Sequence, residues 1–206
     1  ASDVYKRQAW NANGICAVRT KFKAEKDAKI RLVQLNLLSK NFRFINDVGA
    51  ECEDNATAEI LQLFIGGNET YTGTKTTLLG RQSNLDLNVG YYCKDEQLLD
   101  MNYVAEHIGK KTVSSMNAGG VLRDKAHKLF RGTIDFPLGS SGAKGDENED
   151  VLILGEDVIN QTVPLILCAE EDVEGNHGAS IGRPSDDVLF YLASRGLDEE
   201  EACNLM

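Results

Sequence analysis

The chain has 206 residues, 42% of them hydrophobic and 26% charged, enough for one domain with a sizeable core. Its 22 Lys and Arg stand against 32 Asp and Glu, a formal net charge of −10, which argues against electrostatic binding to nucleic acid or an anionic membrane. No apolar run approaches the roughly 20 residues that a membrane helix needs, and the five dispersed cysteines contain no CxxC pair and read as free thiols of a reducing cytosol.

The opening "ASDVYKRQAW" has no period, so residues 1–16 are read as a lead outside the fold, a scar or a disordered segment. From residue 29 to 181 the signal is strand. "ILQLFIGG" offers Leu61, Leu63 and Ile65 as a buried face, and "NLDLNVGYY" offers Leu85, Leu87, Val89 and Tyr91. "LLDMNYVAEH" repeats the alternation with Leu99, Met101, Tyr103 and Ala105. "FRGTIDF" does so with Phe130, Ile134 and Phe136, and Gly132 takes the central inward position. Period two with one polar face means half-buried strands. Turns such as "GGNET", "GRQSN" and "NAGG" separate them. Short strands between small turns predict a sandwich, a barrel or a β-solenoid, and long helices between strands are absent.

The segment "PLGSSGAKGDENED", residues 137–150, reads as an exposed, solvated loop. Then the pattern changes. Ser185 is a good helix N-cap, Asp186 and Asp187 place negative charge in the first turn, and Val188, Leu189 and Leu192 form an apolar face. Gly196 supplies a stop, and Asp198 with Glu201 reads as the capping box of a second helix that runs to the end. Both ends read as cut from a longer protein.

The candidate chemistry centres on "EEDVEGNHGA", residues 170–179. His177 lies near Glu170, Glu171, Asp172, Glu174 and the more distant Asp157. An imidazole there could ligate a metal or shuttle a proton, or belong to a solvated acidic turn. Cys168, after the apolar run "VPLIL", reads as a buried, inert thiol, and Cys52 and Cys93 as half-buried small side chains. His107 and His127 read as surface or edge histidines, and Arg123, Lys125, Lys128 and Arg131 as a solvated basic face. "GSSGAKG" lacks P-loop spacing, and no triad or two-histidine metal spacing is present.

The stretches "KLFRGTIDF", "GDENEDVLILGEDVINQTVPLILCAEEDVEGNHGASIG" and "LFYLASRGLDEEEA" resemble the SufB/SufD family of iron–sulfur cluster assembly proteins, and within it the SufD branch of low-GC Gram-positive bacteria. "NLLSKNFRFINDVGAECEDNATAEILQLFIGG" and "LLDMNYVAEHIGKK" fit the same family, so the resemblance covers residues 17–206. It implies a right-handed parallel β-helix over 17–183 and, over 184–206, the start of a small helical domain. It implies a cytoplasmic scaffold rather than an enzyme, paired with a SufB paralogue and two copies of the SufC ATPase and served indirectly by a cysteine desulfurase. The nascent iron–sulfur cluster would be transient cargo of the complex, with nothing bound by the isolated chain. His177 takes the place of the family's histidine at the SufB–SufD interface, in part a metal ligand of a shared site. Cys168 becomes a candidate accessory thiol, since Gly175 stands where some SufD sequences carry cysteine. Val188, Leu189, Leu192, Ala202 and Leu205 become candidates for SufC docking. Gly178 stands where SufB-type sequences carry glutamate, which points to the SufD branch. The alternative is a β-helix polysaccharide lyase or hydrolase that uses Glu170, Glu171 and Asp172 in a groove.

Overall fold

A computed structural model describes residues 13–198, 201, 202 and 205. Its strands are β1 Gly14–Ala24, β2 Lys29–Asn36, β3 Phe42–Cys52, β4 Thr57–Phe64, β5 Glu69–Leu78, β6 Asn84–Cys93, β7 Leu98–His107, β8 Val113–Leu122, β9 His127–Phe136, β10 Ala143–Ile153, β11 Ile159–Cys168 and β12 Val173–Gly182, followed by helix α1 Asp186–Ser194. The odd strands make one parallel sheet in the order β1-β3-β5-β7-β9-β11, and the even strands make the other, β12-β10-β8-β6-β4-β2. Each turn of chain therefore adds one strand to each sheet. The result is a parallel β-helix of about six turns, the solenoid expected from the sequence. No turn can bury its apolar face alone, so each relies on its neighbours.

The inward faces follow the alternation. Leu85, Leu87, Val89 and Tyr91 of β6 are buried, as are Leu99, Met101, Tyr103 and Ala105 of β7 and Phe130, Ile134 and Phe136 of β9. One corner recurs between odd and even strands. Asp27, Asn55, Gln82 and Lys111 all have positive φ there, and Gly142 takes the next place with φ 75°. Short polar side chains tolerate this left-handed conformation better than most. The corners stack through backbone bonds: Asp27 N–H donates to Asp54 O at 2.9 Å, Asn55 N–H to Arg81 O at 2.9 Å, and Gln82 N–H to Lys110 O at 2.9 Å.

Three expectations change. Residues 14–16, assigned to the lead, begin β1, while residues 1–12 lie outside the described residues. The supposed loop 137–150 contains most of β10, whose inward column is Ala143, Gly145, Glu147, Glu149 and Val151. Two acids in the column and an abundance of Gly hide a regular strand. In β4 the buried face is Ala58, Ile60, Gln62 and Phe64, while Leu61 is 47% exposed. A buried glutamine reversed the apparent face. Gln62 Nε2 donates to Gln34 Oε1 at 2.7 Å, and Tyr103 Oη donates to Gln62 Oε1 at 2.9 Å. Satisfied on both sides, the amide is tolerated inside.

Helix α1 is capped as expected. The Ser185 hydroxyl accepts from Val188 N–H at 3.4 Å, and Gly196 follows with φ 91°. Asp198 N–H donates to Glu201 Oε2 at 3.0 Å while Glu201 N–H donates to Asp198 Oδ1 at 2.8 Å, a reciprocal capping box. The rest of the second predicted helix lies partly outside the described residues. No helix among the described residues is long and apolar enough to cross a membrane.

Candidate functional site

His177 sits in β12, the last strand of its sheet, and pairs in register with Glu147 of β10. Its column faces the lumen: a Cβ on Gly175, two residues earlier, would lie 3.0 Å from Phe136 and 3.1 Å from Ile166. With a neighbour on one side only, β12 leaves this column exposed. Gly178 belongs to the outer column, where a Cβ would approach Asn148 Oδ1 at 2.9 Å.

The acids near His177 in sequence do not gather around it. Glu174 is on the outer face and pairs with Lys144 at 2.7 Å, which holds its carboxyl below the usual range. Glu170 caps the corner, accepting from Gly139 N–H at 3.0 Å and Glu171 N–H at 3.1 Å. Asp172 accepts from the Ser141 hydroxyl at 2.7 Å. Glu170 and Asp172 thus hold the last corner together, which removes them from the groove of the lyase alternative. Cys168 is exposed rather than buried, because β11 is the last strand of its own sheet, and its thiol donates to Glu170 O at 3.1 Å. It pairs in register with Phe136, four residues along the strand from Pro164, which pairs with Gly132. Among the described residues, no group of three or more His, Cys, Asp or Glu could hold a metal ion.

The acids that matter lie one turn deeper, and the loop reading concealed them. Glu147 is 2% exposed, and its Oε2 has no hydrogen-bond partner. Burial, with the neighbouring Glu149 charge, pushes its carboxyl up to about 7. The carboxyl group reaches across the lumen to Gly132, where a Cβ would lie 2.3 Å from it. Gly132→Ala is therefore expected to destabilise the chain by about 1–3 kcal/mol in denaturant unfolding. Adding Glu147→Ala should relieve most of the loss, and an unrelieved loss would place the strain elsewhere.

Glu149 is buried too, but it is satisfied. Lys128, fully buried, pairs with it. Thr162 Oγ1 donates to Glu149 Oε2 at 2.6 Å, and Tyr91 Oη donates to its Oε1 at 3.2 Å. Lys128 thus leaves the solvated basic face predicted for it, because its position in β9 points into the lumen beside Phe130. Desolvation lowers its pKa against the opposing pull of Glu149.

His107 is likewise internal, not at the surface. Its ring nitrogens lie 2.7 Å from Thr112 Oγ1 and 2.9 Å from Ser114 Oγ, and burial alone lowers its pKa to about 4. His127 is partly buried, with Nε2 3.1 Å from Gln161 Oε1. Cys52 and Cys93 are fully buried rather than half-buried, and desolvation pushes their thiols up to about 11 and about 12. Neither is a nucleophile at neutral pH.

Of the apolar residues singled out after the solenoid, Val188 is 43% exposed and Leu205 67%, Leu189 and Leu192 are half-buried, and Ala202 is buried. Leu189 and Ala202 line a shallow concavity of about 300 Å³ with Phe190, Ala193 and Leu197. Phe190 at 77% and Tyr191 at 56% exposure, which the sequence reading passed over, present the larger apolar area.

A sequence model described as "SUF system FeS cluster assembly, SufBD core domain" matches residues 2–206. The chain is 33% identical over 140 residues to the iron–sulfur cluster assembly protein SufD of Bacillus subtilis, covering 68% of this chain and 29% of that protein. It is 28% identical over 173 residues to SufD of Escherichia coli, covering 84% and 40%. It is 26% identical over 156 residues to SufB of Bacillus subtilis, covering 75% and 33%. The chain thus spans well under half the length of these relatives, which include both branches. A parallel β-helix of about six turns agrees with that match, and the chain belongs to the SufB/SufD family of iron–sulfur cluster assembly proteins.

Proposed function

We propose that this chain is part of a SufD-type scaffold subunit of a cytoplasmic complex with a SufB paralogue and the SufC ATPase, on which iron–sulfur clusters are assembled. The observation that carries this reading is His177-Gly178 on the last turn. The imidazole occupies the exposed inward column, where a second subunit can reach it, and the outer position lacks the glutamate of SufB-type sequences. An imidazole is a competent ligand for iron, and thiolates from a partner supply softer donors. In this reading the subunit acts as a scaffold rather than an enzyme. ATP hydrolysis belongs to SufC, and sulfur reaches the complex from a cysteine desulfurase. The exposed Val188, Phe190, Tyr191 and Leu205 offer SufC an apolar surface, with Leu189, Leu192 and Ala202 supporting it from within.

Co-expression of the full-length protein with SufB and SufC tests the reading. His177→Ala should leave the stoichiometry of the complex unchanged and lower bound iron and sulfide by about tenfold or more. Wild-type iron and sulfide in the variant complex would overturn it, as would failure of the wild-type protein to recover SufC.

A further inference from the structure

We propose that the last turn of the solenoid, β11 with β12, is a flap latched by a proton on Glu147. Closed, the flap holds the carboxyl neutral beneath it; open, it lets the carboxyl release its proton to water while the turns below stay folded.

Glu147 lies one layer beneath the open end. Its strand has β8 on one side and β12 on the other, and the last turn is the only layer above it. The carboxyl packs across the lumen on Gly132, whose register partner in the last turn is Pro164. Buried, with Oε2 unpartnered, it sits where a charge is costly. The groups around it do not offset that cost. Glu149, on the same strand, repels it, and Lys128 of β9 is already paired with Glu149. Thr162 of β11 and Tyr91 of β6 also donate to Glu149. In register, Glu147 has the apolar Met116 of β8 below and His177 of β12 above. The closed turn therefore accepts the neutral carboxyl, and burial beside Glu149 raises its pKa to about 7.

The last turn is also the one that can open alone. β11 and β12 are the final strands of their sheets, each bonded on one side only. No residue of either strand is buried, so little apolar contact resists their release. The polar ties that hold them do not follow pH near neutrality. Glu170, accepting from Gly139 N–H, is held below the usual carboxylate range. In the Lys144–Glu174 pair between β10 and β12, each partner pushes the other's pKa away from neutral. Two imidazoles touch or ride on the flap: His127 of β9, 3.1 Å from Gln161 of β11, and His177 itself. Cys168 and His177 are carried on these strands, so the surface offered at this end of the solenoid depends on Glu147 keeping its proton. This goes beyond the proposed function and does not rest on it.

The experiment is hydrogen exchange by mass spectrometry on the full-length protein without partners, corrected for the intrinsic pH dependence of exchange. A carboxyl at 4.5 when open and about 7 when closed makes the opening equilibrium rise with pH between those values and level off above 7. Peptides from residues 159–182 should therefore open about tenfold more for each unit from pH 5 to 7. Peptides from β5 to β8 should change little. Glu147→Gln should flatten the profile of the flap, and if that variant does not fold, Glu147→Met must flatten it. His127→Gln and His177→Ala should keep the wild-type slope. A flat wild-type profile, or a slope that survives in the uncharged Glu147 variant, overturns the latch. So does a slope lost with either histidine, or one shared equally by β5 to β8, which would mean that the solenoid opens as a whole.

Discussion

Lys128→Met will destabilise the chain by about 3–5 kcal/mol, the cost of leaving a buried carboxylate without its cation. Glu149 is 2% exposed, and Thr162 and Tyr91 cannot replace the charge of Lys128 by hydrogen bonding alone. The ammonium cannot swing out to water, since Lys128 sits mid-lumen with a fully buried side chain. The double variant Lys128→Met/Glu149→Met should recover most of the loss, because an ion pair replaced by apolar groups of similar volume is often close to neutral. Urea unfolding of the wild type, both single variants and the double variant gives the coupling directly. A double variant as unstable as the single one would show that packing around the aliphatic stem, not the charge, sets the cost.

This pair also explains what the sequence conceals. Strands β6 and β7 are legible because their inward residues are apolar up to His107 at the end of β7, so period two stands out. Strand β10 is illegible because its inward column, Ala143, Gly145, Glu147, Glu149 and Val151, mixes acids with small residues. A carboxylate inside a solenoid becomes reasonable only once Lys128 is known to face it, and Lys128 lies 21 residues away in sequence. Strand β4 shows the same effect, with Gln62 standing where a leucine would be expected. The solenoid repeat escapes notice for another reason. The register step is 26 residues from Arg43 to Glu69 but 32 from His127 to Ile159. Corners of different length absorb the variation while the strands stay in register, so no fixed period survives in the sequence. His177, by contrast, stands out in the sequence through the stretch "GNHGA" that resembles the family. Its environment does not, because the acids nearest in sequence point outward or cap a corner, while Glu147, the acid nearest in register, lies 30 residues upstream.

Two buried titratable groups with opposite signs make the second large effect. His107 has an ordinary pKa of 6.5 in the unfolded chain and about 4 when folded. As pH falls below 6.5, the unfolded chain takes up a proton that the folded chain refuses, so stability is lost, levelling off near pH 4. Glu147 runs the other way. Its carboxyl goes from 4.5 unfolded to about 7 folded, so its contribution is fully present below pH 4.5 and is lost as pH rises through 7. Each shift is worth about 3 kcal/mol. The groups around His107 are the neutral Thr112, Ser114 and Phe136, whereas Glu147 faces Gly132, with Glu149 and Lys128 nearby and His177 in the next turn. In metal-free buffer the wild-type chain should therefore change little in stability between pH 7 and 4.5. His107→Gln should remove the acid-destabilising arm, so that the variant gains about 3 kcal/mol on acidification across that window. Glu147→Gln should remove the opposing arm and lose a similar amount. Exposed ion pairs such as Lys144–Glu174 weaken mainly near and below pH 4.5, outside the window. Denaturant unfolding at half-unit pH steps measures all three profiles. Parallel profiles for wild type and His107→Gln would mean that the imidazole is protonated inside the lumen and that its hydroxyl partners have rearranged to receive the charge.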